Sequence, residues 1–522
     1  MRPAPVLAVA VVLGLCALPA RAQLSGNYTL DPNGSGPRNY TTFAGASAAL
    51  AAGVSGPVVF QVAPVTFSEW VSFNAVPGAS ATNTIRFVAT GAPAVIRAGT
   101  SIALALNSCA FFVFENLEFD CSGTYCLNSS QANDNTFRHC KFSGGGQVVY
   151  SQGMNRCVFD ACELDGKGTA SRLVSPYNAN DSDCLFENCF IHDCSPTGLG
   201  VYLNVSGYGI LFWHNTVLVK TTQNAVHLGG CCAWSRANSF RNNIVVNTGT
   251  GVCIKYGASA AGVLEYNDAD YNCYFAPSGN ACELENGSAF TRGTLAQWQA
   301  YFNTNRATMV PQTGAAPIPT PAQARWDDNS IEMDPLLVGL TAPYDIHLQG
   351  ASPCLNAGTT TYVAGPWISY RASYVVTDDF EDDPRPATGV DIGADETAVQ
   401  LVGSGAGKPG TTIAFTLIAA ADTGLPYQLG SSLGSGPLLI DTRRLDLSLD
   451  QLLVVSVSGL LPGVFQDYAG VLDPSGQAAA KLHIPNAPVL TGLRIHTAFV
   501  TLRASAPSGI ASLSGTFLFT VQ

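Results

Sequence analysis

From Pro57 to about Tyr274 apolar and polar residues alternate in short runs, broken by turns rich in Gly, Asn, Asp and Ser. Alternation with period two is the signature of β-strands with one face buried. Six of these runs share a phrase that opens on an aromatic residue: Phe114, Phe137, Phe159, Phe186, Phe212 and Phe240. Successive copies are separated by 23, 22, 27, 26 and 28 positions. Strand-like repeats in the twenties predict a solenoid, in which each rung buries its apolar face only by stacking on its neighbours.

The phrase divides by position. Period two places the residue two before each Phe on the same inward face, and these are Asn135, Cys157, Cys184, Ile210 and Asn238. The residue three after Phe is Leu117, Cys140, Cys162, Cys189, Asn215 or Asn243, a turn position where Asn amides stack from rung to rung and buried thiols fill the same space. The residue directly after Phe faces out, giving the ladder Glu115, Arg138, Asp160, Glu187, Trp213 and Arg241, with ion pairs such as Arg138 to Asp160 expected between rungs. A further strand precedes each phrase, for instance at 201–203, 226–228 and 252–254, so three strands per rung are predicted.

Both ends of the stack need covering, because an open end exposes unpaired strand edges. Phe43, Ala46 and Leu50 share one helical face ahead of Gly53, which predicts a capping helix. Residues 283–335 leave the rhythm, with a helical segment at 295–301 and a Pro/Ala-rich stretch at 311–324, and read as a flap over the far end. From about Leu401 cysteine disappears and short strands (412–417, 451–457, 494–502) alternate with turns, predicting a separate β-sandwich of about 120 residues. The expected order is a signal peptide (1–22), an N-terminal cap with the first strands (23–84), the β-helix (85–397) and the sandwich (401–522).

Composition fits this order. Charged residues are 12% of the chain and Gly numbers 52, as in turn-rich β-proteins. Arg2, the apolar run from Val6 to Leu18 and Ala20-Arg21-Ala22 read as a secretory signal cleaved after Ala22, so the mature protein is expected to be secreted or at the cell surface. No later run reaches the ~18 apolar residues of a membrane helix. Loss of Arg2 and Arg21 takes the net charge from −12 to −14, which argues against nucleic acid or an anionic membrane as partner. Of 16 Cys, 15 remain after cleavage, all between Cys109 and Cys354, and an odd number leaves at least one without an internal partner. Parallel side chains on the ladder make Cys140, Cys162 and Cys189 core thiols, whereas Cys121 and Cys126 are close enough in sequence to pair.

The rung phrases resemble those of right-handed parallel β-helix proteins of the pectin-lyase-like class. The segments around Trp298, 327–330, 334–337 and 352–358, and the motif 383–386 followed by 391–396, are similar to the closing part of secreted bacterial β-helix proteins. The resemblance covers about residues 25–397 and implies an all-β fold: a right-handed parallel β-helix with a capping helix, followed by a small sandwich. It implies a polysaccharide partner, with lyase or hydrolase chemistry or a non-catalytic structural or adhesive role. The sandwich would then serve secretion or attachment to the cell envelope. The paired Asp, Gly-His-Gly and Arg-x-Lys pattern of polygalacturonases is absent; Cys253-Ile-Lys255 comes nearest and lacks the Arg.

Outward residues of stacked strands line up about 4.8 Å apart, which suits a glycan lying along one face. On the strand before the phrase the predicted outward positions are Tyr202, His227 and Cys253, and two residues on Asn204, Gly229 and Lys255. Lyase chemistry needs a base for the proton α to a carboxyl group and an acid for the leaving oxygen, roles open to Lys255 or His227 and to Tyr202. Asn204 and an exposed Trp213 are the expected substrate contacts, Trp213 as a stacking platform. The plain alternative is an ordinary twisted-sheet surface. Asp391 and Asp395, beside the acidic run 378–383, are candidate Ca²⁺ ligands, against the alternative of a solvated acidic turn neutralised by Arg385.

Overall fold

The computed structural model describes residues 23–522 apart from 177–180, 204–208, 230–237, 258–267, 286–289, 310–324, 350–351, 361–373, 386–389, 397–398, 420–421, 435–437, 441–442 and 446. The expected signal segment and Asn204 lie outside the described residues.

The chain winds as a parallel β-helix. The Phe-bearing strands form one 11-stranded sheet, and the other strands of the rungs form an 18-stranded sheet that wraps the remaining sides. Phe60, Phe87, Phe114, Phe137, Phe159, Phe186, Phe212 and Phe240 stand in one register line. Their rings follow one another inside the helix, 4.6 Å apart at Phe137–Phe159 and 4.5 Å at Phe159–Phe186. Each buried Phe contributes about 1.5–3 kcal/mol by leaving water, and stacking adds to it.

The corner after this sheet is made by backbone conformation. Two residues past each Phe, Asn116, His139, Ala161, Asn188, His214 and Asn242 all have positive φ, a single left-handed residue that turns the chain sharply. The next position is the predicted ladder. The N–H groups of Cys189, Asn215 and Asn243 donate to the side-chain oxygens of Asn215, Asn243 and Asn272, each at 2.9 Å. In the earlier rungs Cys140, Cys162 and Cys189 reach the carbonyls of Phe114, Phe137 and Phe159 instead. All described cysteines are buried and unpaired. Cys121 and Cys126, a candidate disulfide, are separate thiols whose S–H groups point to Tyr125 O and Phe119 O.

Helix α1 (Phe43–Leu50) caps the first rung through Phe43, Ala46 and Leu50, with Thr42 Oγ1 accepting from Gly45 N at 3.0 Å. Helix α2 (Leu295–Met309) covers the other end, burying Leu295, Trp298, Phe302 and Met309, and Trp298 stacks on Tyr256 at 4.4 Å. Beyond α2 the chain turns back as an arm. Trp326 bridges Ala269, Ile331 pairs with Cys273, Tyr344 reaches Asp193, and Asp378 and Asp382 reach Arg138. The acidic run 378–383 expected in solvent is packed on the rungs in part: Asp382 stays exposed, whereas Asp379 and, beyond the run, Asp391, Asp395 and Glu396 are buried.

Residues from Val399 onward form a 4-stranded and a 5-stranded antiparallel sheet around a common apolar core. One expected strand is a helix: α3 (Gln451–Val457) is started by Asp450, whose side chain accepts from Leu453 N at 3.0 Å. That N-cap outweighs the strand-like composition of Leu452 to Val455. No helix among the described residues is long and apolar enough to cross a membrane.

Candidate functional site

The strands that precede the Phe phrases bring Tyr202, His227, Lys255 and Glu283 into one outward line, each the direct neighbour of the next. Inward neighbours Leu203, Leu228 and Tyr256 are buried in the core, so the strands' alternation holds these side chains out. Cys253, expected in this line, is instead fully buried in the corner before its strand. The 247–253 turn delays strand pairing by two residues, which puts Lys255 beside His227.

Polar contacts join the line. The Tyr202 and His227 rings meet edge to face at 5.3 Å, and the Arg172 guanidinium lies 4.1 Å over Tyr202. His227 Nε2 is 3.0 Å from Glu285 Oε2. Lys255 Nζ lies 3.2 Å from Glu283 Oε1 and 3.9 Å from Glu285 Oε1. The hydrogen bond with His227, helped by the charges of His227 and Lys255, holds the Glu285 carboxyl below its usual range against the effect of burial. Lys255 Nζ thus sits between two carboxylates. Glu285 orients the His227 ring. Arg172, Glu283 and Glu285 were missed in the sequence. Glu283 continues the register one strand past Lys255, but it falls where the rhythm breaks and the flap was expected.

The other expected contacts do not join this group. Trp213 is 1% exposed: its indole N–H donates to Ser239 Oγ at 2.9 Å and Tyr374 of the arm covers its ring. It is a buried packing residue, not an open platform, because the arm lies over that half of the outward ladder. Asp391 is also fully buried, its carboxylate accepting Asn356 N at 2.6 Å. Asp395 accepts from Leu348 N and belongs with His347 and Glu381, so the expected Asp391–Asp395 pair is replaced by a different grouping.

The arm also closes two neighbouring cavities. One, of about 480 Å³, is lined by Lys141, Glu163, Asp165, His192 and Tyr344. There His192 stacks on Phe190 at 4.2 Å and lies 3.0 Å from Glu163 and 3.1 Å from Asp193. Lys141 Nζ is 2.8 Å from Glu163. Burial works against the His192 charge, but hydrogen bonds with Asp193 and Glu163 raise its pKa; burial likewise opposes the Glu163 charge, and His192 and Lys141 prevail to lower its pKa. The other cavity, of about 610 Å³, is lined by Glu115, His139, His347, Glu381, Asp395 and the sandwich residues Leu513 to Gly515. These groups come from segments some two hundred residues apart, and no sequence spacing relates them.

A family model described as a right handed beta helix region matches residues 83–233 and 122–295, in agreement with the observed winding. Among curated proteins no match is found. The chain is similar to the crystal structure of the pectin methylesterase from Aspergillus niger in deglycosylated form, at 11% identity and a TM-score of 0.30 over 51% of this chain and 87% of that one.

Proposed function

We propose that this protein is a secreted or cell-surface β-helix protein that binds an extracellular polysaccharide along its lateral face and cleaves it there. The observation that carries this reading is the line Tyr202, His227, Lys255 and Glu283, with Glu285 bonded to His227. Residues from separate rungs place an oriented imidazole, a phenol, a cation and two carboxylates within reach of one sugar. Arg172, over the Tyr202 ring, supplies positive charge beside the Tyr202–His227 pair, which favours a chain carrying uronic acid groups, and Lys255 is shared between Glu283 and Glu285. His227 moves the proton, Tyr202 serves the leaving oxygen, and Lys255 meets the substrate carboxylate.

The test is a screen of polyuronates and neutral glycans, read by ultraviolet absorbance of unsaturated ends for a lyase and by new reducing ends for a hydrolase. His227→Ala should lower the turnover by about 10²–10⁴-fold. No product from any glycan, or an activity untouched by both His227→Ala and Tyr202→Phe, refutes catalysis at this face.

A second reading, a non-catalytic rod for adhesion or glycan binding, is favoured by the closure of these contacts. His227 is only 5% exposed, and Lys255 and Arg292 already pair with Glu283. Glycan retention without product, lost in Lys255→Ala, would support it.

A further inference from the structure

A second site of different chemistry lies under the arm, away from the lateral face. His347, Glu381 and Asp395 offer three ligand atoms that lie within 4.8 Å of one another. They come from two stretches of the arm and meet beside the 610 Å³ cavity. We propose that they form a binding site for a divalent transition cation of the Zn²⁺ or Mn²⁺ class.

Three features of the geometry favour a cation here. First, His347 is already oriented as a ligand: its Nδ1 lies 2.6 Å from Asp345 Oδ1, which leaves Nε2 on the side of Glu381, 3.9 Å from Oε1. A metal-binding imidazole commonly donates its other N–H to a carboxylate in this way, which fixes the tautomer and the ring plane. Second, Glu381 Oε2 is buried without a hydrogen-bond partner, although a buried carboxylate oxygen normally finds one. Third, Asp395 is held in place by Leu348 N, while the cavity leaves room for water to complete the coordination.

The neighbouring group of Glu163, Asp165 and His192 shows the contrast. There the Lys141 ammonium sits 2.8 Å from Glu163 and 3.8 Å from Asp165, so a protein cation already occupies that role. At Glu381 the ion pair found among the described residues is the longer one to His347. Arg385, the nearby guanidinium, is committed to Glu396 and to backbone carbonyls. One imidazole with two carboxylates suits a borderline ion better than Ca²⁺, which takes oxygen ligands almost exclusively.

Calorimetric titration of the whole mature protein, first freed of metal by chelation, with Zn²⁺, Mn²⁺ and Ca²⁺ separately tests this. One saturable site that prefers Zn²⁺ or Mn²⁺ over Ca²⁺ is expected. Glu381→Gln should weaken it at least tenfold, and Asp345→Ala, which removes the acceptor that orients His347, by about 10- to 100-fold. Glu381→Gln keeps the side chain's shape and gives up only the 3.9 Å ion pair with His347, so its metal-free melting curve should stay close to the parent's. Mn²⁺ paramagnetic broadening provides a readout independent of heat. Absence of saturable binding, a preference for Ca²⁺, or binding unchanged in both Glu381→Gln and His347→Ala would overturn the assignment; loss on Glu163→Gln alone would move the ion to the other group and overturn it equally.

Discussion

Replacing Arg385 by Met asks whether one buried fork holds the arm against the rungs. The guanidinium is 1% exposed, its partner Glu396 is 2% exposed, and they are 2.8 Å apart. The same side chain donates to Asp378 O at 2.9 Å, to Asn188 Oδ1 at 3.1 Å, and to Gly393 O and Ala394 O at 3.0 Å each. Met keeps much of the length and donates to none of them. Removing one partner of a buried pair costs about 3–5 kcal/mol. Here Glu396, whose carboxyl burial pushes up to about 8, loses the guanidinium that opposes that shift, while four further acceptors lose their donor. Hydrogen exchange reads this locally: protection in 374–385 and 390–396 should fall by about a hundred- to a few-thousand-fold, at 1.4 kcal/mol per tenfold, while the Phe sheet keeps its protection. Adding Glu396→Gln should recover part of the loss, with a coupling of about 0.5–3 kcal/mol. An arm whose protection drops less than tenfold, or a double variant at the sum of the two single losses, would refute the fork as its anchor.

Three further outcomes follow from the geometry. Burial first, and then the charge of Asp328, push the Asp327 carboxyl up to about 7, with Ser330 opposing. A folded pKa above the unfolded value gives stability that is whole below about pH 4 and lost as pH rises through about 7. Denaturant midpoints measured from pH 4 to 8 should therefore decline, and Asp327→Asn should flatten that slope; an equal slope in both proteins would contradict the assignment. Asn243→Ala strips the acceptor from Asn215 N and the donor from Phe212 O, for a loss of about 2–4 kcal/mol in urea unfolding, whereas Asn243→Cys should lose less because thiols fill the same ladder two to four rungs earlier. Glu285→Gln should lower turnover and shift its pH profile, because it alters the partner of His227; a profile identical to the parent's would contradict that coupling.

The Phe phrase made most of the rung legible, because a period-two strand encodes its buried face locally. The stacked rings, the left-handed corner and the Cys/Asn ladder all follow from neighbours along the chain. The capping helix was legible for the same reason, through the spacing of Phe43, Ala46 and Leu50. Tyr202, His227 and Lys255 were readable as a patch because a rung of fixed period converts sequence distance into spatial adjacency. The two-residue slip at Cys253 shows the limit of that conversion, since a turn of altered length resets the register without changing the alternation.

Where the chain leaves the period, local pattern carries no position. The arm returns across rungs wound up to 244 residues earlier, and its docking rests on buried hydrogen bonds such as those of Arg385. Trp213 faces outward on its strand, as the alternation says, yet the arm makes that outward face interior. His347, Glu381 and Asp395 meet for the same reason. The sequence by itself determined the repeating core, since each rung packs on copies of itself. Only the tertiary structure decided which outer faces stay open and which carboxylates and imidazoles share a cavity, because those contacts join segments that no period relates.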